Sequence, residues 1–145
     1  MRNQFKFIDS FEIINDQMTG KISIPGLNYL IVFTLNIEGK ECSLSDFSDL
    51  IKKSEKFVAC KLDNDQVSCI ITEMSKKITD AAYEGSDYVY SEQDILNLAN
   101  DIKIEKIDFY DEDIVIFFSS GNIFSNMTIS CQMDYDSNIE DVTAF

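Results

Sequence analysis

Apolar residues recur along this chain with two different periods, and the switch between them divides it into three parts. Phe5, Phe7, Phe11, Ile13 and Ile14 alternate roughly with polar positions, which suits one or two opening strands. Asp16-Gln-Met-Thr-Gly20 carries turn chemistry, with Gly20 expected at positive φ. Lys21-Ile-Ser-Ile24 alternates again and stops at Pro25-Gly26, the chain's only proline and a strong turn signal. Asn28 to Glu38 follows as a long β-rich stretch. Tyr29, Ile31, Phe33, Leu35 and Ile37 fall on one face, and Leu30, Val32, Thr34 and Asn36 on the other. A strand buried on both sides at its start and half-exposed at its end is expected, central in its sheet.

From Ser43 the period becomes helical. Leu44, Phe47, Leu50, Ile51, Phe57 and Val58 predict a helix over about Ser45 to Cys60, capped by Ser43 or Ser45. Asp63-Asn64-Asp65 interrupts it. Val67, Ile70, Ile71, Met74, Ile78, Ala81 and Ala82 then form an i, i+3, i+4, i+7 stripe that predicts a second helix ending near Tyr83. Ser91-Glu-Gln-Asp94 resembles a capping box and opens a short third helix over Glu92 to Asn100.

Alternation returns in three strand candidates, Ile102 to Tyr110, Ile114 to Ser119 and Ile123 to Asp134. Asp111-Glu112-Asp113 and Ser119-Ser-Gly-Asn122 supply the turns between them, the pattern of an antiparallel meander. The order strands, helices, strands predicts an α+β domain: an antiparallel sheet of about five to six strands with two or three helices on one face. With 145 residues, no repeat and no linker, residues 1–145 are expected to form a single domain.

Composition adds the chemistry. The chain is 45% hydrophobic with 11 Phe and 6 Tyr, which is ordinary for a folded protein and too aromatic for a disordered acidic one. The longest apolar run, Tyr29 to Phe33, is strand-sized, and the opening residues Met1 to Asp9 lack an uninterrupted apolar signal segment. A cytoplasmic protein is expected. Cys42, Cys60, Cys69 and Cys131 form no CxxC pair, and three of the four sit in or beside apolar runs, so they are expected to be reduced core thiols.

Asp and Glu number 26 against 12 Lys and Arg, a net charge of −14. Such a surface repels nucleic acid and anionic membranes and is complementary to a basic partner. The imbalance grows along the chain, from net 0 over residues 1–40 to −6 over 41–100 and −8 over 101–145.

Histidine is absent from the sequence, which removes Ser-His and Cys-His nucleophile systems, imidazole bases and His-ligated metals. None of the five glycines belongs to a GxGxxG or GxxxxGK[ST] loop. Cys60 or Cys69 would lack a base to activate it as a nucleophile. An enzyme is not expected, and neither a cofactor nor a metal is.

Two acidic groups remain as candidate recognition residues. Asp111, Glu112 and Asp113, with Asp108 before them, cluster at a predicted hairpin; they could offer oxygens to a hard cation but lack the ligand ladder of an EF-hand, so a solvated turn is expected. Asp134, Asp136, Glu140 and Asp141 surround Tyr135, where an aromatic anchor among carboxylates could meet Arg or Lys of a partner.

The C-terminal third resembles a bacterial family of small domains of uncharacterised function. That family ends in a polar or acidic turn, then Gly-x-Leu-Phe-Trp-Gly-His-Ser-Ile, an alternating strand and a closing acidic segment. Here Gly121-Asn-Ile-Phe-Ser-Asn-Met-Thr-Ile129 occupies the motif, followed by Ser130 to Tyr135 and Ile139-Glu-Asp141. Ser125 replaces the Trp, Asn126 the Gly and Met127 the His, so no role of that His carries over. The matching Phe124 and Ile129 point to a structural meaning. The order of elements over residues 11–145 is also similar. The resemblance implies an immunity protein that binds and neutralises a cognate toxin with a basic surface, such as a nuclease. The composition leaves open a self-associating structural or regulatory module, or a small-molecule or cation-binding domain.

Overall fold

Seven strands flank a central helical block in the computed structural model, which describes residues 5–14, 16–37 and 43–145. The first four residues, Glu38 and Cys42 lie outside the described residues. Strands β1 (Ile8–Ile14), β2 (Gln17–Ser23) and β3 (Leu30–Asn36) come first. A 3-10 turn (Leu44–Phe47) leads into α1 (Ser48–Lys61), α2 (Asn64–Ala82) and α3 (Glu92–Asp101). Then follow β4 (Ile102–Phe109), β5 (Asp113–Ser120), β6 (Thr128–Asp134) and β7 (Ile139–Ala144).

The α+β class and the order of the blocks agree with the sequence reading; the sheet differs. It has seven strands in the order β1-β2-β3-β4-β5-β6-β7, and β3 pairs with β4 in parallel. The sheet is therefore mixed rather than antiparallel. Two antiparallel meanders meet at one parallel seam, where Val32, Phe33, Thr34 and Leu35 face Lys106, Ile107, Asp108 and Phe109. The seventh strand lies in the closing segment Ile139–Ala144, whose half-buried Ile139, Val142 and Ala144 flank a polar Glu-Asp pair and so give no clean alternation.

Register explains the core. One row runs Gly20, Phe33, Ile107, Ile116, Cys131 and Val142 across six strands, and the next runs Met18, Leu35, Phe109, Ile114, Met133 and Ile139. An irregularity between Ile104 and Lys106 keeps Ile104 and Ile107 on the same face despite their odd spacing. These side chains join Leu50, Phe57, Val58, Ile70 and Met74 of the helices in one hydrophobic cluster. The helices thus cover one face of the sheet, as periodicity predicted. The opposite face carries Val32, Thr34, Lys106, Asp108, Val115 and Phe117.

The helix boundaries follow their capping chemistry. Ser43 closes a capping box with Asp46, whose Oδ2 accepts from the Ser43 amide at 2.8 Å, so the chain enters as a 3-10 turn before α1. Asp63 caps α2 by accepting from the Gln66 amide at 2.9 Å. Ser91 and Asp94 form the capping box of α3.

Three sequence expectations fail on local geometry. Gly20 lies within β2 opposite Phe11 rather than in a turn at positive φ. A Cβ there would sit 1.9 Å from the Ser10 carbonyl oxygen, so glycine is needed for close backbone approach beside the irregularity between Ile8 and Ser10. β3 starts exposed, with Leu30 45% accessible, because the face that Leu30 shares carries no helices. Cys60 and Cys69 are exposed, since each stands off the apolar stripe of its helix; Cys131 is a buried core thiol, and burial pushes its pKa up to about 12.

The third strand candidate is shorter than expected, because residues 121–127 form a loop before β6. Asp101 organises that loop. Its carboxylate accepts from the Ile123 amide at 2.8 Å, the Ser120 hydroxyl at 2.5 Å and the Asn122 amide at 3.0 Å, which lower its pKa to about 2. Asn126 turns the loop at φ 68°.

Two outcomes follow. Gly20→Ala forces backbone against backbone and is expected to lower unfolding free energy in urea by about 2–3 kcal/mol. Asp101 titrates at ~3.9 when unfolded and lower when folded, so its ionised form favours the fold. The melting-temperature gap between wild type and Asp101→Asn should be full above that unfolded value and close as pH falls toward about 2.

Candidate functional site

Strand pairing brings the two acidic groups together. β5 and β6 are neighbours with Asp113 directly opposite Asp134, so the β4–β5 and β6–β7 turns project side by side from one end of the sheet. From Ile107 to Phe145 the chain contains eight carboxylates and no lysine or arginine.

On the helical side these turns meet α1 across a cleft of about 670 Å³. Asp111, Glu112, Asp134, Tyr135 and Asp136 line it from the sheet, and Lys53, Lys56, Phe57, Cys60 and Lys61 line it from α1. Lys53 Nζ donates to the Asp111 carbonyl oxygen at 2.6 Å and stands 5.4 Å from the centre of the Tyr135 ring. The sequence alone does not assign these three lysines to the site. Their recurrence on one helix was readable, but which strand end that helix would cross was not.

Tyr135 is an internal strut rather than a free anchor. Its ring packs edge-on against Phe57 with centroids 5.9 Å apart, and its hydroxyl donates to the Tyr110 carbonyl at 2.5 Å. Burial, reinforced by Asp111 and Asp113, raises its pKa and keeps the phenol a donor. Asp134 is likewise occupied. Its side chain accepts from the amides of Asp136 and Asn138, both at 2.9 Å, and from Asn138 Nδ2 at 3.0 Å, closing the β6–β7 turn in which Ser137 takes φ 65°. Those bonds from Asn138 lower its pKa.

Asp113, Glu140 and Asp141 lie away from the cleft lining. Asp113 accepts from Gln132 Nε2 at 3.2 Å. Partial loss of hydration and the adjacent Asp113 carboxylate raise the pKa of Glu140, although the side chain is exposed. Asp141 pairs with Gln132 along β7 and is exposed. Asp108 does not belong to the turn cluster at all. It faces the helix-free side of the sheet, where Thr34 Oγ1 donates to it at 2.7 Å and Lys106 Nζ approaches to 3.3 Å. Among the described residues no group of three or more His, Cys, Asp or Glu is arranged to hold a metal ion. No described helix is long and apolar enough to cross a membrane.

The arrangement therefore offers solvent-facing carboxylates at Asp111, Glu112 and Asp136 on two adjacent turns and at Glu140 on β7. That chemistry suits charge-assisted hydrogen bonding to Arg or Lys. The chain has no significant match among protein-family models, curated proteins or solved structures. Its functional reading rests on these residues.

Tyr135→Phe keeps the ring and leaves the Tyr110 carbonyl without its donor. Urea unfolding should show a loss of about 1 kcal/mol with an unchanged slope.

Proposed function

We propose that this protein is an immunity protein that binds a cognate bacterial toxin domain through its acidic hairpin end and neutralises it in the cytoplasm. The observation that carries the reading is the convergence of Asp111, Glu112, Asp113, Asp136 and Glu140 on adjacent hairpins, in a chain segment without positive side chains. A toxin acting on nucleic acid presents a basic substrate cleft, and opposite charge speeds encounter with such a surface by 10- to about 1000-fold. Asp134 and Tyr135 act here as the framework that holds the turns, while Asp111, Glu112, Asp136, Glu140 and Asp141 meet the partner.

Two further observations support the reading. The sequence has no imidazole with which to assemble the commonest hydrolytic sites. Asn126 adopts the left-handed conformation at the position where the resembled motif has Gly, and Phe124 and Ile129 pack into or against the core. A backbone of this kind at position 126 is one that glycine also adopts readily.

Co-expression with the product of the adjacent reading frame tests the proposal. The wild-type protein should copurify with that product and restore growth to cells making it. Asp111→Lys combined with Glu112→Lys and Asp136→Lys should weaken binding by about 100-fold, mainly through slower association, with a smaller difference at high salt. Absence of both copurification and protection by the wild-type chain would refute it.

A further inference from the structure

At the other end of the helical layer lies a cluster that the acidic hairpins do not explain. Tyr83 closes α2, and Tyr88 and Tyr90 follow in the connection to α3. The Tyr83 ring centre lies 4.6 Å from that of Tyr88 and 6.0 Å from that of Tyr90, the latter pair stacked at an interplanar angle of 23°. Three rings in contact would ordinarily be core. Here Tyr83 is 36% exposed, Tyr88 49% and the intervening Val89 89%.

The cluster is held in place before any ligand arrives. Tyr88 Oη donates to Asp94 Oδ2 at 2.8 Å, the same carboxylate oxygen that accepts from the Ser91 amide in the α3 capping box. The Tyr88 amide donates to Ser86 Oγ at 3.0 Å, and the Ser86 amide to the Tyr83 carbonyl at 3.1 Å. Gly85, at φ 77°, permits the turn. Rings fixed in this way lose little conformational entropy on binding, as in interfaces dominated by tyrosine.

Charge selects the occupant. From Ile78 to Ile102 the chain has six carboxylates and no lysine or arginine. Asp94 is hydrogen-bonded to the cluster, and Asp80, Glu84, Asp87 and Glu92, all exposed, lie within a few residues of the tyrosines along the chain. The ring faces carry negative quadrupole potential, and the surrounding carboxylates add to it. A nucleic acid could stack its bases on the rings but would bring phosphates against the carboxylates. A second copy would bring an identical acidic border against this one. A planar guanidinium both stacks on tyrosine and pairs bidentately with carboxylate, whereas an ammonium is more strongly hydrated and stacks less well.

We propose that the tyrosine cluster at the α2–α3 connection is a docking surface for an arginine-bearing segment of a partner protein. It does not depend on the toxin reading. α2 starts beside the α1 end that lines the acidic cleft and runs for 19 residues. At 1.5 Å per residue the tyrosines stand roughly 28 Å away along its axis. The two surfaces can fail separately.

NMR titration of the isotope-labelled full chain with a peptide of alternating Gly and Arg, and with its Gly-Lys counterpart, tests this. The Arg peptide should shift resonances of Tyr83, Tyr88, Val89 and Tyr90 and bind at least about fivefold more tightly than the Lys peptide. Tyr88→Ala should weaken binding by about tenfold. Tyr88→Phe, which retains the ring but loses the bond to Asp94, should bind more weakly than wild type and more tightly than Tyr88→Ala, whereas Asp111→Lys/Glu112→Lys, remote from the cluster, should bind it as wild type does. Shifts confined to the acidic hairpins, equal affinity for the two peptides, or unchanged binding by Tyr88→Ala would overturn the proposal.

Discussion

The parallel seam between β3 and β4 is the constraint on which the other features of the domain depend. Strands that run the same way cannot be joined by a tight turn, so the chain between them must travel back along the sheet. The three helices are that return path, and their apolar stripes settle on the face where the two meanders present their core rows. The seam also creates a polar obligation on the other face, where Thr34 and Asp108 are buried at its centre. The Thr34–Asp108 hydrogen bond, the approach of Lys106 and the Asn36 amide donating to Thr34 Oγ1 at 2.9 Å meet it. The same pairing fixes which strand ends face α1, and hence that Asp111 and Lys53 become neighbours.

Much of this could be read from residue order because the period of apolar residues is a local property. The α2 stripe and the Asp63 and Ser91 caps needed only a few consecutive residues to be recognised. Pairing direction is not local. Nothing in Ile31 to Leu35 or Ile104 to Phe109 states that they run side by side in the same direction; that follows from how the 65 residues between β3 and β4 fold back. The same limit hid β7, where the Glu140–Asp141 pair masks a half-buried strand. A glycine with nearby polar residues reads as a turn, whereas the role of Gly20 is set by a carbonyl ten residues earlier.

The candidate site shows the same division. Each acidic turn was visible by itself, and their adjacency came from the β5–β6 ladder. The individual roles were not visible. Asp134 and Tyr135 are consecutive, yet one closes a turn with three hydrogen bonds and the other reaches under α1 to Phe57 and the Tyr110 carbonyl. Cys60 and Cys69 carry a related lesson: sequence adjacency to apolar residues says little about burial on a helix, where one step turns a side chain by about 100°. The contact among the tyrosines at 83, 88 and 90 is not legible in the sequence because they fall between periodic segments, in a stretch whose glycine and carboxylates suggest mere solvation.

The route by which the chain reaches this state is also shaped by the seam. Each meander can zip through short turns, and helices form quickly by themselves. Val32 and Lys106, however, are partners across 74 positions of sequence. The cost of closing so long a loop is met only once the intervening helices condense onto both halves. Any chain in which that closure has not occurred leaves the β3 and β4 borders, rich in Ile, Phe and Leu, open, and the net charge of −14 opposes the approach of a second such chain.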